Sequence, residues 1–211
     1  MSKNRVKFGN PRVARTVPYS EFVRLTRAVV LARSEDPERE TMRYVVLTHE
    51  GDALAMAATD GHRIHVGYPS PALVEALAVP KGATWTFDAE YVARLPLKPP
   101  ADDALILSAF EMPSGTSFPS YAQVMPRDIN VGNGSTSKIN LAYVADVANA
   151  QKVLQAQDAV VTPCTEADGA GPVSFRIYDG PAPGAPGSKK SNKPTEPGRL
   201  IFHAVVMTMR L

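Results

Sequence analysis

The chain has 211 residues, a formal net charge of +2, 44% apolar and 21% charged residues, 14 glycines, 19 prolines and one cysteine. That balance fits a globular protein with a sizeable core in one large or two small domains, with long loops. No apolar run approaches the ~18 residues of a membrane span. The N-terminus has no apolar signal core. The lone Cys164 cannot form an intrachain disulfide, so a reduced, cytoplasmic setting is expected. Charge is uneven. Residues 1–15 carry Lys3, Arg5, Lys7, Arg12 and Arg15 with no acid, and residues 180–199 carry Lys189, Lys190, Lys193 and Arg199 against Glu196, which leaves the rest net acidic. The basic pieces read either as solubilising tails or as non-specific phosphate contacts.

In chain order, residues 1–15 read as a basic flexible arm and 16–19 as a short strand. Ser20 suits a helix N-cap with Glu21 in the first turn. Phe22, Leu25, Val29 and Ala32 form one helical stripe, with Arg24 and Arg27 roughly opposite. Pro37 ends that element. Strands are predicted at 42–47, 53–59 and 62–66, separated by turns at Glu50-Gly51-Asp52 and Asp60-Gly61. A short helix is expected within 70–80. A strand at 84–87 precedes Asp88, which caps a short helix that Pro96 stops. A strand at 105–109 and a loop at 112–117 follow. The glycine- and serine-rich stretch 130–137 is a connector. Asn140 caps a helix reaching Gln155, and strands follow at 160–164, 173–178 and 200–209. The loop 180–199 has no means of building a core and is expected to be disordered.

Two passages repeat closely. Asp88-Ala89-Glu90-Tyr91-Val92-Ala93 recurs as Asn140-Leu141-Ala142-Tyr143-Val144-Ala145, and Ser20-Glu21-Phe22-Val23 is a looser third copy. The pattern is a β-α-β-β unit used more than once, which makes the fold α+β. No phosphate loop, Cys-x-x-Cys or His-Glu-x-x-His is present. The sharpest polar cluster is Thr59-Asp60-Gly61-His62-Arg63-Ile64-His65. Asp60, His62 and His65, with His49, are its only candidate metal ligands, for a hydrolase centred on His62. Alternation on a strand sends His62 and His65 to opposite faces, which disfavours a shared ion. From the residues alone the chain is a non-enzymatic α+β binding module with no cofactor.

Ala57-Ala58-Thr59-Asp60-Gly61-His62-Arg63-Ile64 resembles the A-T-D-G-H-R-L signature in the middle domain of the bacterial sliding clamp, the DNA polymerase III beta subunit. Phe118-Pro119-Ser120-Tyr121-Ala122-Gln123-Val124-Met125-Pro126 resembles the segment that closes that domain. Val205-Val206-Met207-Thr208-Met209-Arg210-Leu211 resembles the clamp's terminus, and residues 140–150 are similar to a helix of its last domain. The resemblance covers about residues 16–211. It implies a DNA-clamp fold of repeated half-units, with antiparallel sheets outside and helices on one face. Residues 16–126 correspond to a clamp domain, 127–136 to a linker and 137–211 to the second half of the last domain. The first domain and the first half of the third have no counterpart, and the unit at 83–126 is shortened. Gln123 stands where arginine is usual and Thr208 where proline is. The compact form suggests a phage or plasmid version.

The resemblance implies a DNA replication processivity factor without catalysis. Its partners would be double-stranded DNA, bound without sequence preference, DNA polymerase and other proteins with clamp-binding peptides, a clamp loader, and further copies of itself in a homo-oligomer. Three half-units per chain against about twelve in a family ring imply four copies if curvature is kept, and two or three copies, or none, if the truncation widens the angle per unit. The peptide groove carried over comprises Thr59, Gly61, His62, Arg63 and Ile64, then Pro119, Tyr121, Val124 and Met125, then Val205, Val206, Met207, Met209 and Arg210. Against that reading, residues 205–209 are a core strand and Asp60-Gly61 a hairpin turn. The DNA-facing candidates are Arg24, Arg27, Arg94 and Lys152, which are otherwise a solvated outer face. A module that keeps the groove without forming a ring is the alternative.

Overall fold

The computed structural model describes residues 13–87, 89–111, 118, 139–156, 159–163, 172–181 and 198–207. The first unit is β1 (Val13–Pro18), α1 (Tyr19–Val30), a 3-10 turn (Glu40–Arg43), β2 (Val45–Glu50), β3 (Ala53–Thr59) and β4 (Arg63–Gly67). A short helix, α2 (Pro71–Leu77), leads to the second unit, β5 (Trp85–Phe87), α3 (Ala89–Arg94) and β6 (Ala104–Glu111). The third comprises α4 (Leu141–Leu154), β7 (Ala159–Pro163), β8 (Val173–Tyr178) and β9 (Leu200–Val206). Among the described residues, no helix is long and apolar enough to cross a membrane.

Several boundaries differ from the sequence reading. The first strand begins at Val13, so residues 13–15 belong to it and not to the arm. Pro18, not Ser20, precedes α1, because Ser20 is engaged elsewhere: its N–H and hydroxyl both donate to Asp103 Oδ1, at 2.9 and 2.6 Å. The strand expected at 42–47 is a 3-10 turn followed by β2. The capping of α4 by Asn140 is as read, its Oδ1 accepting from the Ala142 N–H at 3.0 Å. The last strand ends at Val206. Asp88, Cys164 and residues 182–197 of the expected loop lie outside the described residues. The base of that loop is described: the Arg199 N–H donates to Asp179 Oδ1 at 2.7 Å, and the Asp179 N–H to the Arg199 carbonyl at 3.1 Å.

All nine strands join one antiparallel sheet in the order β1-β6-β5-β2-β3-β4-β9-β8-β7. Its centre is built by reciprocal exchange between the first two units. The strand before α1, β1, pairs with β6, which follows α3, whereas the strand before α3, β5, pairs with β2, which follows α1. The third unit joins through β4 and β9, with Arg63 opposite Val206 and Gly67 opposite Phe202.

The helices cover one face of the sheet. There α1 packs between α3 and α4, and α2 lies against β1. Strand alternation puts Val45, Leu47, Leu54, Met56, Ala58, Phe175, Ile177, Phe202 and Ala204 on that face, where they join Phe22, Val23, Leu25 and Val29 of α1 in the main core. Full burial of a side chain such as Phe22 stabilises the fold by roughly 2–3 kcal/mol. Gly67 makes the approach of α1 possible. A Cβ there would fall 2.6 Å from Leu25 Cδ1 and 3.0 Å from Val29 Cγ2, so any larger residue at this β4 position would force those side chains to shift. On the opposite face, Ala55, Ala57, Ile64, Val66 and Val205 form a second apolar cluster, with Tyr68 and Phe118 half-buried against it.

Candidate functional site

The turn between β3 and β4 is held by its own side chains. Thr59 Oγ1 donates to the Arg63 carbonyl at 2.6 Å and accepts the Gly61 N–H at 3.0 Å. Asp60 Oδ1 accepts the N–H groups of His62 and Arg63 at 2.8 and 3.0 Å. Gly61 has φ +91°, a left-handed conformation that suits glycine. From outside, Arg39 Nη1 donates to the Asp60 carbonyl at 2.6 Å. A short threonine and a short aspartate at these positions thus convert a flexible turn into a fixed one.

Pairing of β4 with β9 brings the two distant motifs together. Ile64 lies opposite Val205, Arg63 opposite Val206, and the Met207 N–H donates to the His62 carbonyl at 2.9 Å. Within this strip the side chains diverge. Ile64 and Val205 enter the outer apolar cluster, while Val206 faces the main core. Met207 is 41% exposed, and the His62 side chain also stands in solvent. Phe118, which opens the segment carrying Pro119, Tyr121, Val124 and Met125, packs against the Ile64–Val205 cluster. Those four residues, with Met209 and Arg210, lie outside the described residues.

Arg63 turns toward the helices. Its Nε pairs with Asp60 Oδ2 at 3.1 Å, its Nη1 pairs with Asp146 of α4, and its guanidinium lies 4.4 Å over the Tyr143 ring. This side chain ties the third unit to the first. Tyr143 and Asp146 were missed as neighbours of the motif. They sit 80 or more positions away, and only the repeat hinted that their helix mattered.

The histidines have separate surroundings. His65 is buried on the helix side, with Nδ1 2.9 Å from the Ala28 carbonyl at the end of α1 and its ring against Phe202. Burial lowers its pKa to about 4, so it is neutral and serves as a donor to the helix end. His49 Nε2 meets the Val79 carbonyl at 3.0 Å. His203 Nε2 is 2.5 Å from Ser174 Oγ, both side chains are buried, and burial lowers the His203 pKa to about 4. Buried in this way, the Ser174–His203 pair offers solvent no nucleophile. Among the described residues, no three His, Cys, Asp or Glu side chains gather as a metal site.

The basic candidates on the helices are placed differently from one another. Arg27 is directed into the fold, donating from Nη2 to the Ala93 carbonyl at 2.8 Å and to the Leu95 carbonyl, so it caps the end of α3. Arg94 is exposed and pairs with Glu90 at 3.4 Å. Arg24 is half-buried, and Lys152 is exposed on the last turn of α4. At the far end of β3, β4 and β9 from the Asp60 turn, Leu54, Tyr68, Pro69, Pro71, Val74 and Leu200 line an apolar cavity of about 560 Å³ with Arg199 at its edge.

No protein-family model and no curated protein matches the sequence. Solved structures match its fold over nearly its whole length. The DNA polymerase III beta sliding clamp of Pseudomonas aeruginosa bound to griselimycin aligns over 98% of this chain and 68% of its own, at 16% identity and a TM-score of 0.60. The Caulobacter crescentus (C. crescentus) beta sliding clamp aligns over 100% and 67%, at 17% identity and 0.57. The DNA polymerase III beta subunit of Borrelia burgdorferi, in complex with a natural product, aligns over 100% and 67%, at 10% identity and 0.57. The protein therefore has the fold of the beta sliding clamps, as an α+β chain of repeated units with helices on one face of an antiparallel sheet.

Proposed function

We propose that this chain is a sliding-clamp-type processivity factor, without catalysis, that encircles duplex DNA as a homo-oligomer and binds short peptides of DNA polymerase and other clamp users. A clamp loader and a cytoplasmic setting go with this reading, as does a division into a clamp domain at 16–126 and a half-domain at 137–211. The observation that carries it is the meeting of the Thr59–Ile64 motif with Val205, Val206 and Met207 in a sheet that follows the clamp fold from end to end. Peptide anchors would be met by Met207, which is exposed and whose flexible thioether adapts to varied apolar groups, beside the outer cluster in which Ile64 and Val205 are already buried. A few such side chains can carry most of a peptide's affinity.

Two measurements test the reading. Micromolar affinity, about −8 kcal/mol, is expected for a short peptide with leucine and phenylalanine anchors. Removing residues 207–211 should abolish it while the far-UV circular dichroism stays unchanged, and undiminished binding would refute the groove. Protein loaded on nicked circular DNA should resist high salt and be released when the circle is cut. Equal release from circle and linear DNA would refute encirclement. The alternative of a groove-bearing module that forms no ring is favoured by one observation, the commitment of Arg27 to α3, which leaves fewer cations on the helix face. The hydrolase alternative has lost its ligand set, since His65 is buried against Ala28 and His62 stands at the surface.

A further inference from the structure

The cavity at the far end of the sheet has no part in the functions discussed above. The five residues of β4 separate it from the Asp60 turn, a distance on the order of 15 Å at the rise of a strand. Leu54 of β3, Val74 of α2 and Leu200 of β9 contribute to its lining, with Tyr68, Pro69 and Pro71 from the link between β4 and α2. Its volume of about 560 Å³ and its chiefly apolar lining are those of a ligand pocket.

The lining is fixed by bonds within the fold. The Tyr68 N–H donates to the Ile201 carbonyl at 2.9 Å, and Arg199 Nη1 donates to the Pro69 carbonyl at 2.7 Å. Ser70 Oγ accepts the Leu73 N–H at 3.3 Å, and the Ser70 N–H and hydroxyl both donate to Glu21 at 2.7 Å. Leu73 and Leu77 anchor α2 in the main core, which fixes the place of Val74 and Glu75. A hollow built in advance has little ordering left to do when a ligand enters.

Charge at the mouth selects the ligand. Asp52 is paired with Lys81 at 2.7 Å, and Arg199 with Asp179 at 3.3 Å. The Arg199 guanidinium also donates to the Tyr68 and Pro69 carbonyls, so it is already engaged and a poor receiver of an anion. Glu75, exposed on α2, has no ion pair among the described residues and leaves the mouth acidic. Burial, aided by Glu50, raises the Tyr68 pKa to about 12, so its hydroxyl stays a neutral donor. Ala53 and Pro71 are exposed like Glu75, so the rim opens onto the surface and leaves room for a chain to run past it.

We infer that this cavity is a docking site, apart from the groove, for a short basic segment of a partner protein. The segment inserts a large apolar side chain beside Val74 and sets a lysine or arginine against Glu75. Apolar contact fills the hollow, and the unmatched carboxylate at its rim discriminates in favour of a basic neighbour. The open rim favours an anchor carried on a chain over a free small molecule, which would stay half in solvent. The inference depends neither on the groove at the Asp60 turn nor on encirclement of DNA.

The probe is the end-blocked peptide Lys-Trp-Leu-Lys, titrated into the isotope-labelled full chain and followed by NMR. It should move the amide signals of Leu54, Tyr68, Val74 and Leu200 and leave those of Ile64, Val205 and Met207 in place. A dissociation constant on the order of 0.1 mM is expected for so short a ligand. Val74→Trp, which fills the hollow, should abolish binding. Glu75→Lys, at an exposed position, should weaken it about fivefold with unchanged far-UV circular dichroism. The peptide Glu-Trp-Leu-Glu should bind that variant better than it binds the wild type. Removing residues 207–211 should leave the affinity for Lys-Trp-Leu-Lys as it was, which separates this site from the groove. No signal movement at millimolar peptide, movement confined to Ile64, Val205 and Met207, or equal affinity of the wild type for the two peptides would overturn the inference. So would indole binding as tightly as the peptide, which would make the cavity a small-molecule site. Failure of the groove with this binding intact would refute only the groove.

Discussion

The helices α1 and α4 hold equivalent places in the repeat, yet they are stabilised by different means. Burial holds α1: eight of its twelve residues are buried, from Tyr19 to Val30, and no side chain caps its start. In α4 only Val147 and Ala150 are buried among fourteen residues, and Asn140 caps it. The contrast follows from neighbours, not from local preference. The first helix packs against α3 and α4 with β3 and β4 beneath, while among the described residues the second packs mainly against α1 and β9. A buried helix can do without a cap because tertiary packing provides most of its stability, and a half-covered one depends more on its ends.

The largest effect that would break this contrast is a core truncation. Phe22→Ala in α1 should cost about 3–5 kcal/mol, as for a fully buried aromatic. Leu141→Ala in α4 should cost less than about 0.5 kcal/mol within a single chain. Urea unfolding at low protein concentration measures both, and equal costs would mean that the flank of α4 is covered within the chain.

Acid should act on both regions. His65, between α1 and β4, and His203, on β9, are neutral in the fold because burial lowers each pKa from 6.5 to about 4. Between those values the unfolded chain binds more protons. The stability present above pH 6.5 is therefore lost as the pH falls toward 4, by up to about 3 kcal/mol for each histidine. Unfolding curves from pH 7 to pH 4 would show the loss, and His203→Gln should remove about half of it, leaving the share of His65. A pH-independent midpoint would contradict the buried neutral state.

A smaller effect is expected at the joint between the two regions. Arg63→Met removes the guanidinium shared by Asp60 and Asp146 and leaves two partly buried carboxylates without it. A loss of about 2 kcal/mol is expected, below the cost of breaking a fully buried pair. Hydrogen exchange should rise more in α4 than in α1. The smallest effect sharpens the comparison of the helix ends. Asn140→Ala should cost about 1 kcal/mol and Ser20→Ala should leave the α1 cap untouched, since Ser20 bonds Asp103 instead. Loss of helix signal at α4 in NMR, with α1 unchanged, checks it.

Much of this was legible in the residues because it is local. The repeated cap-helix passage at 88–93 and 140–145 pointed to the units, and Gly51 and Asp60-Gly61 punctuated the three strands of the first. The boundaries at 13, 20 and 42–47 were misread for physical reasons. Pairing with β6 extends β1 back to Val13, Asp103 takes Ser20 from its capping role, and a 3-10 turn precedes β2. The partners Tyr143 and Asp146 of Arg63 left no sequence signal, because a charge pair across 83 positions has no periodicity to reveal it.

By itself, then, the sequence determined the α+β units, their order, the fixed turn at Asp60-Gly61 and the Asn140 cap. Each of these depends on contacts within a few residues, where side-chain spacing and backbone preference are decisive. Only the tertiary structure decided which edges meet: β5 on β2, β1 on β6, β9 on β4, and nothing among the described residues on β7. Any of these strands carries backbone donors and acceptors that could pair with many others. The choice among them is made by burial of the faces they join, and that is a property of the assembled sheet.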